Sequence, residues 1–350
     1  MKIQKNISLK EYTTFKVGGE AKYFAVINGI EDLKQAVNFA KQNSLPVFVL
    51  GGGSNLLISD EGVDGLVLKM EIKGTDFASQ NPSSQAERDN SGIVQVTAGA
   101  GEIWDNLVEK CVEKGLSGLE NLSLIPGTVG ASAVQNIGAY GIEACDVINW
   151  VEVFDIKTGE IKKLTGVFCK FNYRDSIFKK EEGKDLIVTR VAYNLQKEGE
   201  LKMDYKDIQE YFDKHNFKKE QATLKQLRNA IIEIRKSKLP NCEKVGTAGS
   251  YFKNPTIAKK QLDKLLQKYP ELPHYESGQQ FKIPLAYVLD KILGLKGFKE
   301  GCAGLYENQP LVLVNYGKSD CKNIKNLAQK IQKEVKDKTG LDIDSEVVEW

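Results

Sequence analysis

Asn121 to Ile142 reads NLSLIPGTVGASAVQNIGAYGI, 22 residues without one charged side chain. At the chain's 27% charged content, about six charges would be expected in such a window. Gly127, Gly130, Gly138 and Gly141 interrupt it too often for a helix or a membrane span. Glycines among small residues let backbone N–H groups come close to a ligand without Cβ interference. An uncharged loop presenting amides suits a phosphate whose charge is met by backbone dipoles rather than lysines. A buried, tightly turned connection would have the same composition, which leaves both readings open.

Outward from this stretch, 350 residues exceed one comfortable core and predict two or three domains. Hydrophobic content of 41% describes an ordinary globular chain. Net charge of +2, from 49 basic and 47 acidic residues, gives no global reason to expect a nucleic-acid or membrane partner. The start, MKIQKNISLKEYTTF, has no long apolar core, so no signal peptide is expected, and nothing reaches the roughly 18 apolar residues of a membrane span. Cys111, Cys145, Cys169, Cys242, Cys302 and Cys321 lack C-x-x-C spacing and fit free thiols in a reducing cytosol. With two histidines, His215 and His274, far apart in sequence, neither a metal site nor a Ser-His-Asp triad is expected.

The first part alternates strand and helix. Ala21–Ile27 predicts a strand, Leu33, Ala36, Val37 and Ala40 a helical stripe, and residues 46–50 a short buried strand running into Gly51. Strands are expected at 66–68 and 93–96, with Gln80–Gly92 as an exposed hairpin tip. Trp104, Leu107, Val108 and Cys111 mark a helix ending near Gly115, and 150–156 with 161–164 form a hairpin around Lys157-Thr-Gly-Glu160. After a strand over 186–195, helices dominate: Leu224, Leu227, Ile231 and Ile234 up to Pro240, then 258–268, 285–293 and 322–338, with a strand at 311–315. The change of texture near 200–225 predicts a domain boundary, and the whole reads as α+β.

Strand followed by Gly51-Gly52-Gly53-Ser54-Asn55 resembles a dinucleotide fold, but G-x-G-x-x-G would need glycine at Leu56. Gly317-Lys318-Ser319 fails as a Walker A ending because Val312 holds the earlier glycine position. Two amide-rich loops, at 51–55 and 125–141, could grip the two phosphates of one dinucleotide. Arg174, among aromatic residues, reads as an ion pair with Asp175 or as a guanidinium fork for a carboxylate. Ser250, after Gly249, either shapes a turn or exposes its hydroxyl there; it is not in a G-x-S-x-G elbow.

In series, nine segments resemble the UDP-N-acetylenolpyruvoylglucosamine reductase family over essentially the whole chain. They are Thr14-Phe-x-Val-Gly-Gly19, Leu50-Gly-Gly-Gly-Ser-Asn55, Gly118-Leu-Glu-Asn-Leu122, Ile125-Pro-Gly-Thr-Val-Gly130, Gln135-Asn-Ile-Gly-Ala-Tyr-Gly141, Tyr173-Arg-Asp-Ser-Ile-Phe178, Lys238-Leu-Pro240, Ala248-Gly-Ser-Tyr-Phe-Lys-Asn-Pro255 and Gly294-Leu-Lys-Gly297. The resemblance implies an FAD-binding region of the vanillyl-alcohol-oxidase (PCMH) type in two subdomains, residues 1–70 and 71–222. A C-terminal α/β substrate-binding domain, 223–350, would follow. It implies reduction of an enolpyruvyl ether on a UDP-sugar through FAD, with NADPH as co-substrate, in a cytoplasmic monomer that makes peptidoglycan precursor.

The same resemblance implies that Gly51, Gly52, Gly53, Ser54, Asn55 and Leu56, with Ile125, Pro126, Gly127 and Ser132, cradle FAD. Gln135, Ile137, Gly138 and Gly141 would line the flavin edge. Arg174 and Glu346 would face the substrate carboxylate, and Ser250 would give the proton. Tyr205, on a tyrosine loop of the family's longer type, would hold the UDP moiety with Lys238, Asn254, Tyr275 and Gln309. The chain departs from the family at its end, where Ile343-Asp-Ser-Glu346-Val-Val-Glu-Trp350 leaves Asp344 and Glu349 as competitors of Glu346. Ala131-Ser-Ala-Val134 replaces a more usual proline-containing turn, and Tyr306 stands where histidine is commoner. Two rivals remain: an alcohol- or sugar-oxidising flavoenzyme on the same fold, and a UDP-sugar-binding module without catalysis.

Overall fold

The computed structural model describes residues 1–77, 92–218 and 221–350. Its contacts divide the chain into two compact units. One comprises residues 1–6, 22–52 and 64–235; the other comprises 7–21, 53–63 and 236–350. The division therefore falls near the end of the helix Leu224–Lys238, later than the change of texture suggested.

The first unit holds a smaller and a larger sheet, besides the short hairpin of residues 138–143. In the smaller, Val47–Leu50 pairs in parallel with Val63–Met70. Helix Ile30–Gln42 lays Leu33, Ala36, Val37 and Ala40 into a core with Ala25, Ile27, Leu66 and Leu68, as the i, i+3, i+4, i+7 stripe predicted. The larger sheet orders Ile161–Thr165, Ile148–Asp155, Leu186–Lys197, Ile93–Gly99 and Thr75–Phe77, all antiparallel, with Leu116–Ser117 beside Leu186–Lys197. The expected hairpin closes with Phe154 opposite Ile161, its turn held by Asp155, which accepts from the Lys157 and Thr158 amides. The reading of 80–92 as a hairpin tip falls, up to residue 91, outside the described residues.

Helix Trp104–Glu113 packs Trp104, Leu107, Val108 and Cys111 into a core with Val191, Tyr193 and Leu195. The Trp104 and Tyr193 rings meet edge to face at 5.9 Å, and the indole N–H donates to the Leu122 carbonyl at 2.9 Å. A third, smaller core joins helix Lys206–Lys214, through Ile208 and Phe212, to Leu227, Ala230, Ile231 and Ile234 of Leu224–Lys238. The first of these helices and the strand Ile3–Ser8 went unread in the sequence.

The uncharged stretch requires a correction: it contains a helix, Val129–Gln135. Glycine did not break it, because Gly130 sits against Ala100, where a Cβ would lie 2.8 Å from the alanine methyl. Close packing thus outweighs glycine's low propensity over two turns. The helix stops at Asn136, which is left-handed at φ +45°. Its side chain then ties the exit together, donating to Glu143 and the Asn172 carbonyl and accepting from the Cys145 amide.

The second unit is built on helix Cys321–Thr339, capped by the Asp320 carboxylate at one end and closed by Gly340, φ +72°, at the other. Ile324, Leu327, Ala328, Ile331 and Val335 face a core shared with Phe252, Leu285, Val288 and Leu313. The helix expected over 285–293 is one α-turn, Leu285–Tyr287, passing into a π segment, Val288–Ile292. Phe15, Val17 and Leu57 belong to this same core, so two early stretches of chain build the C-terminal unit. The Thr14–Gly19 motif accordingly packs: the Thr247 amide donates to the Thr14 carbonyl and the Asn315 side chain to Phe15.

Candidate active site

In the first unit, strand Val47–Leu50 delivers Gly51 and Gly52 against the second amide-rich loop. A Cβ on Gly51 would lie 2.8 Å from Thr128 Oγ1, and one on Gly52 would lie 2.8 Å from Gly127 Cα. At Gly52 backbone meets backbone, which only glycine permits; at Gly51 the neighbour is the Thr128 side chain. Thr128 Oγ1 and Gln135 Nε2 are both shut off from solvent without a hydrogen-bond partner among the described residues. Buried polar atoms are ordinarily satisfied, so an orphan beside the glycine cradle, Thr128, and a second at the far end of the following helix, Gln135, fit a polar ligand such as a dinucleotide cofactor. Gln135 is aimed by Lys179, which donates to its Oε1 at 2.9 Å and to the Arg174 carbonyl at 2.9 Å. Ser132 differs: its hydroxyl is buried, 2.7 Å from the Val129 carbonyl and 3.0 Å from the Tyr193 hydroxyl. Ile125, Pro126 and Ile137 lie on the loops flanking this helix, Pro126 exposed.

After the helix, Gly138–Ala139 and Ile142–Glu143 pair as a short hairpin. Its central residues, Tyr140 and Gly141, have φ of +49° and +82°, the tight-turn geometry whose twist suits paired strands. Arg174, left-handed at φ +52°, donates to the carbonyls of Gly138 and Asn136. Its guanidinium lies 5.3 Å from the Tyr173 ring centre. The carboxylate of Asp175 is met by Lys180, so the guanidinium is anchored on the 136–138 segment.

The approach to the cradle is clamped from a distance. Arg228, 5% exposed, forks onto Asp105 at 2.8 and 3.1 Å and donates to Ser123 Oγ at 2.9 Å. Asp105 also accepts from the Leu124 amide at 2.6 Å, one residue before Ile125. Burial pushes the Asp105 carboxyl upward, but the Arg228 and Leu124 hydrogen bonds outweigh it and hold the group below its ordinary value. A carboxyl depressed by folding stabilises fully above its unfolded pKa, about 3.9, and loses that support as pH falls through the lower folded value. Removing Arg228 takes the fork from a half-buried carboxylate: Arg228→Leu should cost about 1 to 3 kcal/mol in urea unfolding at pH 7. The deficit should shrink as Asp105 is protonated in acid.

Three residues here were given no role of their own from the sequence. Tyr140 is pushed up to about 12, chiefly by burial, and its oxygen interacts with Arg235. Burial depresses the Arg235 guanidinium, and nearby Arg174 adds to the effect. Asn121, fully buried, donates to the Tyr140 and Lys202 carbonyls. The first and last lie inside the stretch already singled out, and Arg235 precedes Lys238 by three positions on its helix.

In the second unit, Gly53 offers its carbonyl to the Thr14 amide at 3.1 Å. The half-buried Ser54 and Leu56 flank Asn55, whose side chain donates to the Glu346 carbonyl at 3.1 Å. The Glu346 amide donates to the Tyr251 carbonyl at 2.7 Å, and Val348–Glu349 pairs in parallel with Leu56–Leu57. The chain end is thus stitched between the glycine-run exit and the residue following Ser250. Glu349 is tied to Lys325 at 2.6 Å and Asp344 is exposed, whereas Glu346 is half-buried. Half-buried Ser250 bridges to Val312 after left-handed Gly249, φ +74°.

Asn254 accepts from the Leu285 amide at 2.9 Å through its side-chain oxygen. Gln309 accepts from Leu311, Lys238 ends its helix, and Tyr275 is 63% exposed on a short strand. Tyr205, in the first unit, starts helix Lys206–Lys214 and meets the Tyr140 ring edge to face at 5.3 Å. Among the described residues there is no group of three potential metal ligands, and no helix is long and apolar enough to cross a membrane. All six cysteines are free thiols.

Residues 21–165 match the family model of an FAD binding domain, which makes the glycine cradle part of a flavin-dependent oxidoreductase. Residues 240–350 match the C-terminal domain of UDP-N-acetylenolpyruvoylglucosamine reductase. The chain is 39% identical over 349 residues to the reductase of that name from Flavobacterium johnsoniae, covering 99% of each, and 37% identical to that from Pseudomonas aeruginosa, covering 99% and 98%. A crystal structure of the Thermus caldophilus reductase superposes with a TM-score of 0.67 at 26% identity, covering 100% of this chain and 99% of the other. The chain belongs to the UDP-N-acetylenolpyruvoylglucosamine reductase family. Its α+β fold, an FAD-binding region followed by this family's own C-terminal domain, is the one the motifs implied.

Proposed function

We propose that the protein reduces the enolpyruvyl ether of UDP-N-acetylglucosamine-enolpyruvate to UDP-N-acetylmuramate, with NADPH as reductant, as a cytoplasmic monomer supplying peptidoglycan precursor. The observation that carries this reading is the glycine cradle with the orphaned Thr128 hydroxyl beside it, in a chain that follows one reductase family over 349 residues. Bound FAD would supply the hydride relay between NADPH and the vinyl carbon. The loops at 51–56 and 125–127 would hold its pyrophosphate on main-chain amides, with Gln135, Ile137, Gly138 and Gly141 along the ring edge. Ser132 supports this arrangement by fixing the intervening helix. We retain the three-part organisation at 1–70, 71–222 and 223–350 as a proposal about folding units.

Hydride arrival at the terminal vinyl carbon places negative charge on the neighbouring carbon and its carboxylate. Arg174 is assigned to that carboxylate, where a planar guanidinium fork binds the charge-rich species more tightly than the starting ether. Glu346 is assigned to the same group, and Ser250 to proton delivery at the carbanionic carbon. A hydroxyl is a weak acid, but a carbanion is a strong base, so position counts for more than acidity. Lys238, Asn254, Tyr205, Tyr275 and Gln309 are assigned to the UDP moiety, where ammonium, amide and phenol donors suit phosphate and uracil oxygens.

Incubation with NADPH and the enolpyruvyl UDP-sugar should form one UDP-N-acetylmuramate per NADPH consumed; NADPH oxidation that is independent of the sugar would refute the reading. Arg174→Lys keeps the charge and loses the fork, and should lower kcat about 100-fold with flavin content unchanged. Turnover within threefold of the parent would remove Arg174 from its assignment.

A further inference from the structure

The buried side chain of Asn121 uses both of its N–H donors on carbonyls from different parts of the chain. One goes to Tyr140 at 2.9 Å and one to Lys202 at 2.9 Å. Its own oxygen is buried with no partner among the described residues. An amide that leaves its acceptor unsatisfied in order to hold two carbonyls is costly, so those two bonds are its purpose. The first carbonyl belongs to a residue in the left-handed region, φ +49°, at the tip of the 138–143 hairpin. A bulky residue there is strained and needs surrounding structure to hold it. The second carbonyl lies on the irregular segment 201–204, immediately ahead of Tyr205. The Tyr140 and Tyr205 rings close the loop, edge to face at 5.3 Å.

We propose that Asn121 is a positioning residue: a two-carbonyl latch that fixes the Leu201–Tyr205 arm, and with it the Tyr205 ring, against the flavin-edge hairpin. That this governs substrate binding rests on the assignment of Tyr205 to the UDP-sugar. Opening the arm breaks the Lys202 bond and the ring contact, while Leu201 and Met203 release from the small helical core they pack upon. Closing restores all of these together. The latch holds the carbonyls of Tyr140 and Lys202, neither of which belongs to the 51–56 cradle assigned to FAD, so flavin content should not change with it.

The Lys202 side chain is exposed while its carbonyl is the one held, so the bond trypsin would cleave is the latched peptide itself. Proteolysis of a transiently opened segment follows the open population. Losing one such buried hydrogen bond should raise that population about five- to tenfold. Limited trypsinolysis of the FAD-loaded Asn121→Ala protein should therefore show cleavage after Lys202 accelerated about tenfold, with other sites unchanged. Asn121→Ser, which can donate to only one carbonyl, should lie between and serves if the alanine variant fails to fold.

The KM for the enolpyruvyl UDP-sugar should rise at least threefold while the flavin content holds. Unchanged cleavage after Lys202, or acceleration spread evenly over all tryptic sites, would overturn the latch. Faster cleavage after Lys202 with an unchanged KM would leave the latch standing and remove Tyr205 from the substrate's contacts.

Discussion

Ser250→Ala should leave the bleaching of the flavin by NADPH at its parental rate and slow sugar-dependent reoxidation by about 10²- to 10⁴-fold, the usual contribution of a positioned proton donor. The residue's surroundings make this a clean test. Ser250 is placed by backbone: its bridge to Val312, the turn at Gly249, and the neighbouring Tyr251 carbonyl that receives the Glu346 amide. None of these depends on the hydroxyl, so the substitution should leave the fold and the FAD content as they were. Stopped-flow absorbance separates the two half-reactions. Equal slowing of both, or of neither, would take proton delivery away from Ser250.

Gly52→Ala should give a folded but pale protein. Gly52 does not occupy the left-handed region, so alanine can adopt its backbone conformation. The obstacle is steric: the new methyl would stand 2.8 Å from Gly127 Cα and 3.3 Å from its carbonyl carbon, atoms of a main chain that cannot swing aside. The two loops must part, and with them the amides that would face the pyrophosphate. We expect FAD affinity to fall at least 100-fold, read by flavin fluorescence titration of the apoprotein. Gly29→Ala, at a position where nothing lies within 4 Å of the added carbon, is the control and should keep its colour. Parental flavin content in Gly52→Ala would move the cofactor away from this pair of loops.

The sequence made some of this legible and hid the rest for definable reasons. Amphipathic periodicity found Ile30–Gln42, Trp104–Glu113 and Cys321–Thr339 because each buries one face, and that face sets its spacing. It missed Val129–Gln135, a short helix whose glycine is required by packing on Ala100 and looks, in sequence, like a breaker. Domain composition was hidden more deeply. Phe15, Val17 and Leu57 pack in the core of the C-terminal unit, and no local pattern says which distant core an apolar residue will join.

At the site, the glycine run announced close backbone approach, but the partner it approaches, Gly127–Thr128, is set by tertiary structure alone. The three acids near the chain end differ in their surroundings, which the sequence could not show. Glu349 is engaged by Lys325, and Glu346 is the one whose main chain is held from two sides, by Tyr251 and Asn55. Asn121 and Arg235 gave no sequence signal of their own. A buried amide and a buried guanidinium are indistinguishable, in a string of letters, from exposed ones.

The most direct measurement is an anaerobic spectral titration of the purified protein. The proposed chemistry requires a yellow protein whose flavin band is lost on one equivalent of NADPH and returns, equivalent for equivalent, on addition of the enolpyruvyl UDP-sugar. A colourless protein that FAD cannot reconstitute, or a reduced flavin that the sugar leaves reduced, would contradict it.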